Sequence, residues 1–180
     1  MEHLIIPENY SSALNLHDTQ IGIKTVKDFF QSLLVRHLNL LRVSAPLFVD
    51  PASGMNDNLN GYERPVSFDY RAEVVQSLAK WKRYALKEYG FSLGEGLYTD
   101  MNAIRRDETT DNIHSIFVDQ WDWEKVIDKK DRNLETLKAT VRDVYKALRK
   151  TEMYMAIQYD YIEEILPREI FFITTQELAD

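Results

Sequence analysis

Two strand-like segments on either side of a polar loop constrain the fold of this chain more than any other feature. The first leads out of a turn at Gly94–Thr99 and ends near Arg105, and the second spans Ser115–Trp123. The second segment is rich in β-branched and aromatic residues, which favour strands. The loop between them, Arg106–Asn112, contains only polar residues. The pattern predicts a pair of strands with an arginine at the end of the first.

The second strand is expected to have one polar and one aromatic face, because successive side chains of a strand point to opposite sides. The polar face would carry Val118, Gln120, Asp122 and Glu124, and the other face Phe117, Asp119, Trp121 and Trp123. The first set can line a polar pocket while the aromatic residues pack behind it. The same pattern also fits a solvated strand face over an aromatic core.

Helical spacing of apolar residues surrounds this strand pair. A helix is predicted from Thr25 along an apolar face that reaches Leu41, and Pro46 then turns the chain extended. A second helix is predicted from Ser77, as its cap, to about Tyr89, where Gly90 ends it. A third spans about 134–159.

The remaining segments complete an α+β pattern. Residues 1–20 are expected to form an arm, and 51–61 to form a loop. Residues 66–76 are predicted to hold one or two strands and 169–174 a short one, and a last helix opens at Thr175. We predict a single domain over residues 1–180.

Composition narrows the function. The chain of 180 residues has no cysteine and a formal net charge of −7. A thiol nucleophile, a Cys-ligated metal site and a disulfide scaffold are therefore excluded, and nucleic acid is not an expected partner because no long basic run exists. The four histidines show no metal-ligand spacing. Without a signal peptide or a long apolar run, we expect a soluble, cytoplasmic protein with no membrane partner.

Two charged residues stand out as candidates for chemistry. Arg105 closes a strand beside an acidic loop, and a guanidinium offers a planar fork of donors that suits phosphate oxygens. The alternative is a surface ion pair with Asp107 or Glu108. Asp57 lies on a loop bounded by glycines, where a carboxylate can bind an ammonium group or take a proton, although an Asx turn is the simpler interpretation.

Three segments together resemble ammonia-dependent asparagine synthetase, the aspartate–ammonia ligase family. They are SLAKWKR at 77–83, GEGLYT at 94–99 and VDQWDWE at 118–124. Asp57 with the two residues after it, and TQEL at 175–178, also resemble the family. The likeness extends from about Ile21 to the last residue.

The resemblance implies a fold similar to the catalytic domain of class II aminoacyl-tRNA synthetases, an antiparallel sheet flanked by helices. The segment ending in VSAP at 43–46 resembles the first class II motif, a helix and strand at a dimer interface. Residues 104–123 resemble the second motif, two antiparallel strands around a loop. The glycine-rich third motif is absent, and the family's chains are nearly twice as long, so we expect an N-terminal portion of such a domain.

The resemblance further implies a reaction in which aspartate, ammonia and ATP, with Mg²⁺, form asparagine through a β-aspartyl adenylate. It assigns Arg105 to the α-phosphate of ATP, and Lys82, Gln120 and Asp122 to aspartate. Lys82 would pair with a substrate carboxylate and Asp122 with the α-ammonium. Asp57 would lie near the reacting group, to hold ammonium and accept its proton or to help bind the substrate amine. A homodimer is expected.

Two other functions fit parts of the pattern. One is a class II aspartyl- or asparaginyl-tRNA synthetase-like enzyme, against which the acidic composition argues. The other is an inactive half-enzyme that binds aspartate or nucleotide, or dimerises. The missing third motif favours the second, because a chain of these 180 residues acting alone would lack part of its ATP site.

Overall fold

The computed structural model of the protein describes residues 4–57, 59 and 61–180. Its helices and strands follow in the order α1 (Leu16–Leu38), β1 (Leu40–Arg42), β2 (Phe48–Val49), β3 (Ser67–Phe68), β4 (Ala72–Val74), α2 (Ala79–Glu88), β5 (Gly96–Ile104), β6 (Phe117–Lys125), α3 (Leu134–Gln158) and α4 (Thr175–Ala179). This mixture confirms the predicted α+β class. In these described ranges, no helix is long and apolar enough to cross a membrane.

The chain divides into two compact units. Unit 1 contains the N-terminal segment up to Ser11 together with Asn39–Asp128, and unit 2 contains Ser12–Leu38 together with Lys129–Asp180. Each unit is described by itself below. The single domain over residues 1–180 stays a prediction.

The centre of unit 1 is the predicted strand pair. Strands β5 and β6 are antiparallel along their whole length, from Gly96 opposite Lys125 to Ile104 opposite Phe117. Strand β1 joins the other edge of β5 in parallel, so this sheet is mixed. Strands β2, β4 and β3 form a second, antiparallel sheet in that spatial order, which confirms strands within 66–76.

Helix α2 packs one face of the β5–β6 pair and closes the core of unit 1. The core consists of Val75, Leu78, Trp81, Ala85, Leu86, Leu97, Met101 and Ala103. Contact between α2 and both strands buries its apolar face against the sheet. Ser77 begins the turn into α2 as expected, but its side chain accepts only from the Ala79 N–H, at 3.3 Å, and Leu78 occupies the cap position without a side-chain cap bond.

Gly96 is the position where the β5–β6 pair tolerates no side chain. A Cβ there would lie 2.5 Å from the Glu124 carbonyl oxygen and 2.7 Å from Leu40 Cδ2. We expect Gly96→Ala to lower the free energy of unfolding by about 2–3 kcal/mol, because backbone must move to make room. Urea unfolding would measure it.

Gly54→Ala provides the matched control for this substitution. Gly54 has φ +64° but nothing within 4 Å of its would-be Cβ, so it isolates the backbone cost of about 1–2 kcal/mol. A Gly96→Ala protein as stable as wild type would contradict the close approach.

In unit 2, α1 packs against α3, with the rings of Phe29 and Tyr154 stacked at 4.2 Å. The predicted start of α1 at Thr25 was wrong: Asn15 Oδ1 caps the Asp18 N–H at 2.9 Å, and the helix begins at Leu16. The predicted arm therefore loses residues 16–20 to α1. The helix ends at Leu38 because Asn39 adopts a left-handed φ of 58°, which asparagine tolerates, so Leu41 belongs to β1 instead.

The C-terminal part of unit 2 differs from the prediction in one element. Helix α3 spans Leu134–Gln158, as its spacing predicts. Residues 169–174, predicted as a strand, contain no strand. Thr174 instead forms a capping box with Glu177 at the start of α4, so its backbone serves a helix.

Candidate functional site

The polar face of β6 lies where the alternation predicts, facing α2. Gln120 and Asp122 stand opposite Met101 and Thr99 of β5. Gln120 Nε2 lies 3.2 Å from the sulfur of Met101, which belongs to the core beneath α2. Two predicted substrate-binding residues therefore share one face of the strand pair.

Helix α2 delivers Lys82 to the same face. The Lys82 side chain is 7% exposed, and its Nζ forms an ion pair with Asp122 Oδ1. It also donates to the carbonyl oxygen of Trp123 at 3.0 Å and lies 3.8 Å from Glu124 Oε2. A buried ammonium needs such partners because losing its hydration is costly. The residues assigned to opposite charges of aspartate thus pair with each other.

Arg105 follows β5 directly, and its side chain turns toward the segment before α2. Its Nη1 donates to the backbone carbonyl of Gln76 at 3.2 Å. Asp107, the alternative partner considered from sequence, is engaged by Arg64, whose Nε lies 3.1 Å from Asp107 Oδ2. Hydrogen bonds from Arg64 lower the pKa of Asp107 to about 2, so this carboxylate stays charged. Arg64 therefore takes the acidic partner that Arg105 would otherwise compete for.

Asp57 opens onto a polar cavity of about 230 Å³. The cavity is lined by Asn56, Asp57, Pro65, Glu73 and Gln76. Lys80 Nζ lies 3.6 Å from Asp57 Oδ1, a loose contact between two partly exposed side chains. The Asn58 and Asn60 of the predicted motif lie outside the described residues.

Gln76 connects the Asp57 loop to Arg105. Its backbone N–H donates to Asn56 Oδ1 at 2.7 Å, while its carbonyl accepts from Arg105. Asn56 Nδ2 in turn donates to Glu73 Oε1 at 3.0 Å and to the Val74 carbonyl at 3.1 Å. All five predicted site residues thus lie in unit 1, in two groups: Lys82 with Asp122 beside Gln120, and Asp57 joined to Arg105 through Gln76.

Sequence reasoning missed Asn56, Glu73 and Gln76. None belongs to a motif with a chemical meaning of its own. One signal was present, since Gln76 is a polar residue inside the buried run from Val74 to Leu78. A buried amide needs hydrogen-bond partners, so it marks a polar site or network.

A second cavity of about 300 Å³ lies beside Arg105. Leu59, Glu63, Arg105, Asp107 and Glu108 line it. Its single guanidinium suits a phosphate. Nowhere in 4–57, 59 and 61–180 do three His, Asp or Glu side chains gather in a way that could hold a metal ion. The residues described do not by themselves fit an Mg²⁺ site.

His114 and Asp111 close the tip of the β5–β6 loop. His114 Nδ1 lies 2.9 Å from both carboxylate oxygens of Asp111, and this contact raises the pKa of His114. Because the pKa is raised in the folded state, the contact stabilises the loop below about pH 6.5 and is lost as the pH rises through the raised value. We expect Asp111→Asn to lower the pKa of His114, as measured by NMR titration of its imidazole protons.

Glu108→Gln is the control for that titration, because Glu108 raises the pKa of His114 only as the smallest contribution. It should move the midpoint less than Asp111→Asn does. An unchanged midpoint in Asp111→Asn would contradict the contact.

Comparison with known proteins adds the family. A sequence profile described as aspartate-ammonia ligase matches residues 17–180. The chain is 61% identical over 186 residues to the aspartate–ammonia ligase of Clostridium perfringens strain SM101, covering 100% of this chain and 55% of that protein. It is 56% identical over 186 residues to the Ruminiclostridium cellulolyticum protein of the same name, with the same coverage.

A solved structure also matches, more distantly. It is Desulfitobacterium hafniense PylSc, a pyrrolysyl tRNA synthetase, with a TM-score of 0.49 and 13% identity over 73% of this chain and 50% of that one. That similarity decides nothing here. The chain spans about 55% of the length of these two curated relatives. The profile match and the relatives show that the chain belongs to the aspartate–ammonia ligase family.

Proposed function

We propose that the protein forms asparagine from aspartate, ammonia and ATP, releasing AMP and pyrophosphate, through a β-aspartyl adenylate. A carboxylate is a poor electrophile because its leaving group would be oxide, whereas AMP leaves readily. The first task of the site is therefore to align the substrate carboxylate with the α-phosphorus and to neutralise charge there. The second is to present ammonia to the activated carbonyl.

The observation that carries this proposal is the arrangement on one side of the β5–β6 pair. Lys82 and Asp122 are in contact, Gln120 lies two residues from Asp122 on the same face, and Arg105 ends the neighbouring strand. Four residues of strand separate Ile116, which accepts from the Arg105 N–H, from Gln120, or roughly 13 Å. The two sub-sites lie within reach of one small substrate and its phosphate.

Each residue has a role that its contacts allow. Bound aspartate would replace the internal pair, giving its α-ammonium to Asp122 and a carboxylate to Lys82, while the Gln120 amide orients it. Arg105 would hold the α-phosphate. Asp57 would accept a proton from ammonium or help bind the substrate amine. Mg²⁺, if it accompanies ATP, enters none of these steps.

The remaining parts of the proposal concern the whole protein. We propose a cytoplasmic homodimer with a class II synthetase-like catalytic domain. The antiparallel β5–β6 pair with Arg105 at its end supports the second class II motif. Residues beyond those present here would complete the ATP site, because the curated relatives are nearly twice as long.

Aspartate-dependent exchange of pyrophosphate into ATP tests this function, because only reversible adenylate formation produces it. We expect exchange with the protein expressed from its complete gene, no gain from added tRNA, and asparagine formation when ammonium is supplied. Exchange that requires tRNA would favour a tRNA synthetase-like enzyme. Asparagine formation by Asp57→Ala near the wild-type rate would exclude both roles of Asp57.

A further inference from the structure

We propose that Glu73 and Gln76 form, with Asp57, the pocket that binds ammonium for the second step. The inference rests on the proposed function and assigns its nitrogen substrate to the cavity of about 230 Å³ described above. Two carboxylates near each other do not by themselves make a site. What singles out this cavity is the state of the Gln76 side chain.

Gln76 is 3% exposed, and its Oε1 has no hydrogen-bond partner in the described part of the chain. A buried carbonyl oxygen without a donor is costly, and native structures contain few. Since Gln76 lines the cavity, a ligand with N–H donors would satisfy this oxygen. The backbone of Gln76 is already engaged on both sides, so its side chain is held in place.

The lining offers acceptors rather than donors. Asn56 uses its Nδ2 on Glu73 Oε1 and the Val74 carbonyl, and Pro65 has no N–H. What remains for a ligand is the carboxylates of Asp57 and Glu73 and the Oε1 of Gln76. Ammonium carries four N–H donors, one positive charge and no acceptor, which complements this set.

Size and charge agree with the assignment. A water molecule takes about 30 Å³ in the liquid, so the cavity holds an ammonium ion with several waters. Two carboxylates are too few for a metal site of three such ligands, in keeping with the absence of one from the residues described. Lys80 contacts Asp57 but does not line the cavity.

The pocket is also in the right place for the chemistry. The Gln76 carbonyl accepts from Arg105, the residue proposed at the α-phosphate. Ammonium would pass one proton to a carboxylate of the pocket, and the resulting ammonia would form the N–C bond to the β-carbonyl. The C–O bond to AMP breaks with its electron pair on the phosphate oxygen, and the attacking nitrogen then releases its surplus proton to water.

Glu73→Gln and Gln76→Met test the pocket in the protein expressed from its complete gene. Glu73→Gln keeps an acceptor for Asn56 but removes the charge, and Gln76→Met removes the unpaired oxygen at similar volume. With aspartate and ATP saturating, we expect the KM for ammonium to rise about ten- to a hundredfold, the worth of one hydrogen bond to a charged group. Aspartate-dependent pyrophosphate exchange should change by no more than about twofold, since adenylate formation needs no ammonium.

Two further measurements make the test decisive. Hydroxylamine, uncharged near neutral pH, should form aspartyl hydroxamate with a KM that the variants raise less than that for ammonium. Glu88→Gln, on the exposed side of α2, is the matched control and should change neither KM. An unchanged KM for ammonium, or a parallel loss of exchange, would overturn the pocket while leaving the proposed function standing. A wild-type protein without exchange would overturn both.

Discussion

Replacing Arg105 with alanine should lower aspartate-dependent pyrophosphate exchange by about a hundred- to a thousandfold, the usual loss when one donor to transition-state charge is removed. Arg105 has the position for this role: it ends β5, lines a polar cavity, and uses one N–H on the Gln76 carbonyl. Lysine should not rescue the activity, because an ammonium lacks the planar fork that grips two phosphate oxygens.

Arg106→Ala is the matched control for this substitution. Arg106 carries the same charge one residue further along, but it is exposed and its Nη1 donates to the Pro65 carbonyl at 3.3 Å. We expect exchange within about twofold of wild type, since an exposed guanidinium contributes little. Equal losses in the two variants would mean that net charge in the loop, rather than Arg105, matters to exchange.

The face assignment of β6 was predictable because it depends on the period of a strand alone. Once 115–123 is taken as a strand, Gln120 and Asp122 must share a side, and the register with β5 bears this out. The direction of the pair and the parallel addition of β1 were not predictable from pattern, since they depend on long-range contacts between segments more than 50 residues apart in sequence.

The helix boundaries show where local signals compete. Thr25 has a good capping side chain, yet within α1 its hydroxyl donates to the Ile21 carbonyl at 2.8 Å. Asn15 caps the helix nine residues before the predicted start, because it precedes the first turn that can be completed. At the other end, a single left-handed residue, Asn39, outweighs the continuing apolar pattern at Leu41.

The site itself was only half visible in the sequence. Its charged residues could be named by resemblance, but the pairing of Lys82 with Asp122 joins residues 40 positions apart and requires α2 to lie on β6. The role of Gln76 was hidden for a different reason. Its backbone, rather than its side chain, holds Arg105 and Asn56, and backbone contacts leave no mark on residue identity.

The Lys82–Asp122 pair should be the largest single electrostatic contribution to unit 1. Breaking a buried pair by removing one partner costs about 3–5 kcal/mol, because the other charge stays buried and unpaired. We expect Asp122→Ala to lower the free energy of unfolding by about 3 kcal/mol, since Glu124, 3.8 Å from Lys82 Nζ, compensates in part. Lys82→Met should cost less, because the side chain of Asp122 is 22% exposed and keeps some hydration.

The double variant Lys82→Met with Asp122→Leu separates the charge from the packing. Replacing both partners of a buried pair with apolar residues is often neutral, so we expect its stability within about 1 kcal/mol of wild type. Urea unfolding followed by tryptophan fluorescence measures the cycle, because Trp81, Trp121 and Trp123 all lie in unit 1. Double and single variants that lose equal stability would show that the pair does not couple.

The same variants distinguish a structural pair from a substrate site. If aspartate exchanges partners with Lys82 and Asp122, it binds the folded protein and should raise the unfolding midpoint of wild type with its concentration. The double variant, though folded, should show no such rise and no pyrophosphate exchange. Glu124→Gln is the control, since a partner at 3.8 Å and 30% exposed should leave aspartate stabilisation largely intact. A stable double variant that aspartate still protects would place the substrate elsewhere, because neither charge of the proposed site would then be present to hold it.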